Sequence, residues 1–282
     1  MDTQSIGSVK ADKTDSVSTG DFLPLTFTAV DGLAFAAMKA RLGRSSSKIF
    51  IVTSLGPLVE LLRLWSDGLL PRLNSNPRFD FSSVSEFYNA YQRRDRLWIC
   101  PSTQRLGLLR TCEDDDQTAT FRFCSAAQKA ATAAGFPKSV ARQLAAALGE
   151  MLDNIYLHSK MSVTGLAAFD AHAQRFEFVV ADGGIGILRS LRECDEYSGL
   201  SDHGDALDVA LRDGCSRYGT GTNHGHGFSP LFVGLSNLNG SLRFRSGDHA
   251  LTIDGRDPKN IPWRKSAKPP ISGFLASVIV EA

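Results

Sequence analysis

Three motifs of polar residues and glycines follow one another in the C-terminal half of the chain, and their order constrains the fold most. The first carries Glu150 and Asn154 on a predicted helix. The second is Asp-Gly-Gly-Ile-Gly over residues 182–186, and the third is Gly-His-Gly-Phe over residues 225–228. Each motif alone is common in proteins, whereas the three in this order are seldom met by chance.

The first motif is predicted to lie on an amphipathic helix over residues 139–159. Its apolar residues recur at three- and four-residue steps, as one buried helix face requires: Val140, Leu144, Leu148, Met151 and Ile155. At about 100° per residue, Glu150 and Asn154 lie one turn apart at an edge of that face, and His158 continues the row. Glutamate suits the polarisation of a water molecule, and an amide oxygen suits a hard cation such as Mg²⁺. An ordinary surface helix is the alternative.

The second motif follows a predicted strand over residues 176–181. Asp182 ends this strand, and the glycines after it would let the backbone approach a flat ligand while the carboxylate accepts a hydrogen bond. A tight Asp-Gly hairpin turn is the alternative. The helical pattern that begins at Ile185 favours a ligand-binding loop.

The third motif precedes a predicted apolar helix over residues 228–238. Backbone N–H groups at a helix N-terminus favour a phosphate group, and glycines leave them accessible. His224 and His226 alternate, which would suit a metal, but no cysteine or carboxylate stands at metal-ligand spacing. A phosphate contact by histidine is therefore favoured over a zinc site.

Together the motifs resemble the nucleotide site of GHKL-type ATPases, a superfamily with MutL, type II topoisomerases, sensor histidine kinases and anti-sigma-factor kinases. The resemblance covers roughly residues 118–282, with Phe228 where members often carry leucine. It implies an α+β fold, a two-layer sandwich of Bergerat type with helices on one face of a mixed, mostly antiparallel sheet. It implies ATP and Mg²⁺ as ligands. The implied site residues are Glu150 as catalytic base, Asn154 as Mg²⁺ ligand, Asp182 as acceptor of the adenine amine, and Gly184, Gly186, Gly225, His226 and Gly227 around the nucleotide.

The other patterns of this domain, 117–282, predict a series of short elements. They are a strand over 121–123, helices over 126–134 and 205–213, hairpin strands over 241–245 and 250–253, and a last strand over 271–280. The acidic segment 187–218 corresponds to the lid over ATP in the resembling superfamily, and a solvated linker is the alternative.

The N-terminal part divides into a disordered tail over 1–20 and a small α/β domain over 21–116. Predicted elements of that domain are a strand over 49–53, a helix over 56–65, a helix over 83–94 and a strand over 97–100. Its role stays open between a partner-binding module, a STAS-like relay domain and a core that supports the ATPase. The acidic run 113–116 is interpreted as the linker between the two domains.

Composition narrows the function classes. The 282 residues carry a formal net charge of +1, which gives no indication of a nucleic-acid or membrane-surface partner. Five cysteines without a Cys-x-x-Cys pair are typical of a reduced, cytoplasmic protein. The sequence contains no P-loop signature. Its first histidine is His158, so no phospho-acceptor histidine precedes the domain, and self-phosphorylation on histidine is not expected.

Three functions remain open. The first is a Mg²⁺-dependent ATPase whose nucleotide state switches a protein partner or its own N-terminal region. The second is a serine/threonine kinase similar to the anti-sigma-factor kinases, which would pass phosphate to a partner. The third is a non-catalytic nucleotide sensor. Homodimer formation is common in the resembling superfamily and stays open here.

Overall fold

The computed structural model describes residues 22–39, 48–70, 78–211, 240–254 and 264–281. These residues form an α+β structure, as predicted. The helices are α1 Phe27–Met38, α2 Leu55–Ser66, α3 Ser85–Arg93, α4 Gln117–Ala133, α5 Lys138–His158, α6 Gly186–Leu191 and α7 His203–Ala210. The strands are β1 Phe22–Pro24, β2 Ile49–Ile51, β3 Arg78–Asp80, β4 Leu97–Ile99, β5 Leu106–Arg110, β6 Leu166–His172, β7 Arg175–Ala181, β8 Ser241–Asp254 and β9 Arg264–Glu281.

The described strands pair in two sheets. Six of them form an antiparallel sheet in the order β4-β5-β6-β7-β9-β8, and β1, β2 and β3 form a small parallel sheet. At the centre of the large sheet, Phe178 lies opposite Phe169 on one side and Val278 on the other. Side chains alternate between the two faces of a strand. These three residues lie on one face, and Val179 and Ala168 lie on the other, so both faces of the central strands are apolar and must be covered.

Helices α4 and α5 cover one face. The predicted helix over 139–159 is confirmed as α5, and its apolar stripe is buried against Phe169 and Phe178 of the sheet. The fully buried Phe123 of α4 packs in the same core. The apolar residues that recur at helical spacing therefore form the buried face of a helix, as predicted.

The N-terminal helices cover the opposite face, so the prediction that helices lie on one face alone is wrong for the described structure. Leu58 and Leu62 of α2 share a core with Ala168, Val179 and Leu275 of the large sheet. These small and branched side chains leave room for a helix to pack closely. The sheet therefore lies between two helical layers.

Buried charges join the N-terminal helices to the end of the sheet. Arg243 on β8 donates from Nε to Glu60 Oε2 at 2.7 Å and from Nη2 to Asp31 Oδ1 at 2.7 Å. Arg245 also donates to Glu60, and Lys268 Nζ lies 2.8 Å from Asp31 Oδ2. Glu60 and Arg245 are fully buried. Since buried charges are tolerated only when paired, these contacts fix α1 and α2 on β8 and β9.

The predicted N-terminal elements over 49–53, 56–65, 83–94 and 97–100 are present as β2, α2, α3 and β4, each within two residues at either end. The last of these strands joins the large sheet. Through β5, which pairs with both β4 and β6, residues 97–110 continue the sheet of the C-terminal region. The strand pairing thus extends across the predicted domain boundary at residue 116.

The strand predicted over 121–123 is wrong, because these residues lie inside α4. The side chain of Asp116 accepts a hydrogen bond from Ala119 N at 3.0 Å and so caps the helix. Phe123, Ala127 and Ala130 then follow at helical spacing and are all buried. The helix predicted over 126–134 is the second half of α4.

The prediction of a hairpin over 241–253 is also wrong, because β8 is one continuous strand from Ser241 to Asp254. Its pairing with β9 becomes irregular between Ser246 and His249, where Gly247 has a φ of +58°. A glycine with positive φ inside a strand can form a bulge, and here it does so instead of a turn. The last strand, predicted over 271–280, begins at Arg264.

The short helix predicted over 205–213 is α7, which begins two residues earlier, after Asp202 accepts from Asp205 N. The last two residues of the predicted helix, 212 and 213, lie outside the described residues. Across the described ranges we find no helix whose length and apolar character would suffice to cross a membrane.

Candidate functional site

The C-terminal end of α5 contacts the loop that follows β7. Ser159, directly after α5, accepts a hydrogen bond from Ile185 N at 2.9 Å through its carbonyl oxygen. One residue earlier, His158 Nδ1 lies 3.3 Å from the hydroxyl oxygen of Ser190 on α6. The structure therefore brings the first and second motifs together, with the row of Glu150, Asn154 and His158 leading toward the loop.

Asp182 lies where β7 ends and is 1 % exposed. Its Oδ1 accepts a hydrogen bond from Gly184 N at 2.7 Å, and the backbone of Phe274 also contributes a hydrogen bond to the carboxyl. Burial raises the pKa of this carboxyl from 3.8 to about 6, although the Gly184 N–H and the charge of Arg63 act in the opposite direction. A carboxylate can accept about four hydrogen bonds, so this buried group can still receive a ligand's N–H group.

Hydrogen bonds from three directions hold the backbone around this carboxylate. Gly183 N donates to Thr164 Oγ1 at 2.8 Å, and Asp182 N donates to the carbonyl oxygen of Phe274 at 3.0 Å. Ser246 Oγ accepts from Ile187 N at 3.0 Å at the start of α6. The loop is therefore attached to the end of α5 and to strands β8 and β9. Its conformation depends on elements from several parts of the chain.

The local structure of the loop explains why residues 184 and 186 are glycines. Gly186 has a φ of +75°, a backbone conformation that residues with a side chain rarely adopt. At Gly184 a Cβ atom would overlap the carbonyl of Ser159. In this structure the close approach at Gly184 is made to α5, and the approach of a ligand to these glycines stays a prediction.

Replacing Gly184 with alanine is expected to lower the free energy of unfolding by about 1–3 kcal/mol, because the new methyl group has to displace the backbone of Ser159. Urea unfolding measures this effect. Gly199→Ala is the matched control, since a Cβ atom at that exposed glycine meets nothing within 4 Å. Equal unfolding free energies for the two variants would contradict the packing of this loop against α5.

Glu150 and Asn154 lie at the border of the buried face of α5. Glu150 is exposed and Asn154 is half-buried. Neither side chain makes a hydrogen bond to another described residue, so both are available for contacts with a ligand. Asp153, by contrast, lies on the side of α5 near Cys124, whose pKa is raised to about 11 by burial first and by Asp153 second.

The third motif lies outside the described residues. Gly225, His226 and Gly227 fall within 212–239, and their predicted phosphate contacts stay predictions. The same holds for most of the helix predicted over 228–238.

Several residues next to Asp182 were not found by sequence reasoning. Arg63, Thr164, Ser246 and Phe274 reach this loop from other elements, and no local motif marks them. Gly273 was missed as well, although a glycine within a strand can indicate a close backbone approach. A Cβ atom at Gly273 would overlap Asp182.

A separate cavity of about 520 Å³ opens at the far end of β6 and β7, next to α4. Its rim includes Arg105, Lys129 and His172. Asp182 lies at the opposite end of β7, so this cavity is distinct from the predicted site.

Comparison of the chain with protein-family models, with curated proteins and with solved structures gives no significant match. The function is therefore inferred from the geometry around Asp182 and α5.

Proposed function

We propose that the chain binds ATP next to the loop over residues 182–186 and acts as a Mg²⁺-dependent ATPase that switches a protein partner. The observation that carries the proposal is the burial and hydrogen bonding of Asp182. This side chain is buried at the end of β7, its Oδ1 accepts the Gly184 N–H, and a carboxylate keeps further lone pairs that can accept a ligand's N–H group. The exocyclic amine of adenine is a donor of matching chemistry.

The row on α5 supplies the remaining parts of the proposed site. Asn154 is half-buried and has a free amide oxygen with respect to the described residues, so it fits a Mg²⁺ ligand. Bound Mg²⁺ would neutralise charge on the phosphate groups. Glu150, one turn farther from the loop and exposed, would take the proton of an attacking water molecule.

A protein kinase is the second candidate, and the exposure of Glu150 permits it. An exposed carboxylate is accessible to the hydroxyl group of a partner protein as well as to water. The two candidates share the same nucleotide site and differ only in the acceptor of the phosphoryl group. A non-catalytic sensor would bind ATP without transferring this group at all.

Incubation of the protein with ATP labelled on the γ-phosphate tests these alternatives. Free labelled phosphate indicates hydrolysis, and label on a co-incubated partner protein indicates a kinase. Binding without either product would replace the ATPase proposal with the nucleotide sensor.

Glu150→Gln is expected to slow single-turnover cleavage of ATP by about 10²–10⁴-fold, because general-base assistance is typically of this size. Affinity for ATP should change little, since the proton is transferred only in the reaction. The matched control is Asp153→Asn, an exposed carboxylate of the same helix that lies near Cys124, which should cleave ATP at the wild-type rate. Cleavage at the wild-type rate by Glu150→Gln would exclude Glu150 as the base.

A further inference from the structure

Arg63 on α2 reaches the loop of the proposed site from the N-terminal region. A Cβ atom at Gly183 would lie 2.6 Å from Arg63 Nη2, so the guanidinium group packs directly against the loop. The side chain of Arg63 is 11 % exposed. The long arginine side chain reaches from α2, on one face of the sheet, to the loop at the end of β7.

Two further residues hold this guanidinium group in place. Arg63 Nη2 donates to Asp67 Oδ1 at 3.0 Å and to Ser272 Oγ at 2.8 Å. Ser272 in turn donates to Asp67, from its backbone N at 2.8 Å and from its hydroxyl at 2.6 Å. The end of α2 and strand β9 are therefore joined two residues before Phe274, whose carbonyl accepts from Asp182 N.

The placement of Arg63 affects the carboxylate itself. Burial is the largest influence on Asp182 and raises its pKa, while the positive charge of Arg63 and the hydrogen bonds at Gly184 and Phe274 lower it. Among the described residues, Arg63 is the charged side chain with a resolved effect on this group. Its Nε atom is buried and has no hydrogen-bond partner there. Arg63 thus favours the ionised form that would accept a hydrogen bond from adenine.

We propose that Arg63 is a positioning residue that couples the N-terminal helix α2 to the nucleotide site through the loop over 182–186. The coupling depends on the proposed nucleotide binding, whereas the effect of Arg63 on Asp182 does not. Because coupling between two sites is reciprocal, a nucleotide held by Asp182 would also stabilise the arrangement of α2.

The test is the pH dependence of ATP affinity in Arg63→Met. Loss of a neighbouring positive charge typically raises the pKa of a carboxyl by about one unit or more, so affinity should fall by about tenfold or more below pH 6 and change little at pH 8.5. Arg63→Lys should restore part of the affinity at low pH because it keeps a positive charge. Arg142→Met, at an exposed arginine of α5, should bind ATP as the wild type does at every pH.

A purely structural role for Arg63 predicts a different result. In that case Arg63→Met would lose affinity equally at all pH values, and Arg63→Lys would resemble it. Either that pattern or an unchanged pH profile in both variants would overturn the proposal. If Arg63→Met does not fold, Arg63→Gln, which also removes the positive charge but keeps a polar group, replaces it with the same two expected outcomes.

Titration of the Asp182 carboxyl by ¹³C NMR without nucleotide separates this proposal from the proposed function. Its midpoint is expected near pH 6 in the wild type and at higher pH in Arg63→Met. A wild type that binds no ATP but shows this shift would refute the nucleotide site while retaining the influence of Arg63. An unchanged midpoint in Arg63→Met would refute the influence of Arg63 whether or not ATP binds.

Discussion

Asp182→Asn is expected to make the ligand-free protein more stable at neutral pH and to weaken its binding of ATP and ADP. In the wild type, burial raises the pKa of Asp182 from 3.8 to about 6, so ionisation of this carboxyl opposes folding. At about 1.4 kcal/mol per pKa unit, this difference corresponds to about 3 kcal/mol at most. Asparagine has nearly the same shape and can still accept the hydrogen bond from Gly184 N, but it carries no charge.

The pH dependence of this stabilisation has a defined sign. The folded protein holds the Asp182 proton more tightly than the unfolded chain, so the favourable contribution is complete below pH 3.8 and is lost as pH rises through about 6. The stability gained by Asp182→Asn should therefore be full above pH 6 and should disappear toward pH 4. Urea unfolding of both proteins at pH 4, 6 and 8 measures it.

The affinity for adenine nucleotides should change in the opposite direction. Loss of a hydrogen bond to a charged acceptor costs about 1.5–3 kcal/mol, which is about ten- to a hundredfold in affinity. A variant that gains stability and loses affinity is typical of a residue kept for function. Calorimetric titration that finds the same affinity for ATP in both proteins would exclude Asp182 as the acceptor of adenine.

Glu60→Gln is expected to lower the free energy of unfolding by about 3–5 kcal/mol, because it removes the negative charge that two buried guanidinium groups share. Arg243 donates to Glu60 from Nε at 2.7 Å and from Nη2 at 2.8 Å, and Arg245 is also hydrogen-bonded to it. Glutamine fills the same volume, so the loss reports the charge and not a cavity. Urea unfolding measures the difference.

An exposed ion pair provides the matched control for Glu60→Gln. Arg93 Nη2 lies 2.7 Å from Asp95 Oδ2, and their side chains are 57 % and 28 % exposed. Exposed pairs contribute about 0–1 kcal/mol, so Asp95→Asn should unfold almost as the wild type does. If Glu60→Gln were as stable as Asp95→Asn, the buried charges would not hold the N-terminal helices on the sheet.

The sequence predicted those parts of the fold that depend on local periodicity. The stripe of Leu144, Leu148, Met151 and Ile155 identifies α5 because each residue packs against the same core. The helices of the second layer were predicted, but their packing on the sheet was missed. It depends on contacts between residues far apart in the sequence, such as Arg243 and Glu60, which are 183 residues apart. From sequence alone, a charged side chain is expected to be exposed unless an oppositely charged partner is known. Tertiary structure determines which residue is that partner, and no local sequence pattern identifies it.

In the candidate site too, residues in a local pattern were predicted and residues that approach from other elements were missed. Asp182 was found because an acidic residue between a strand and glycines is a local pattern, and its burial then gives that pattern a chemical reason. Thr164 and Ser246 were missed because they approach the loop from other elements. Arg63 was missed because it lies on a helix whose pattern indicates only packing.

The most direct test of the central claim is calorimetric titration of the wild-type protein with ATP at pH 7.5 in the presence of Mg²⁺, with GTP titrated in parallel. Asp182 accepts a hydrogen bond from the amine at position 6 of adenine in the proposed complex, and guanine carries a carbonyl oxygen there. The account predicts saturable binding of ATP at one site per chain, competition by ADP, and affinity for GTP weaker by about tenfold or more. Absence of ATP binding, or equal affinity for GTP, would contradict it.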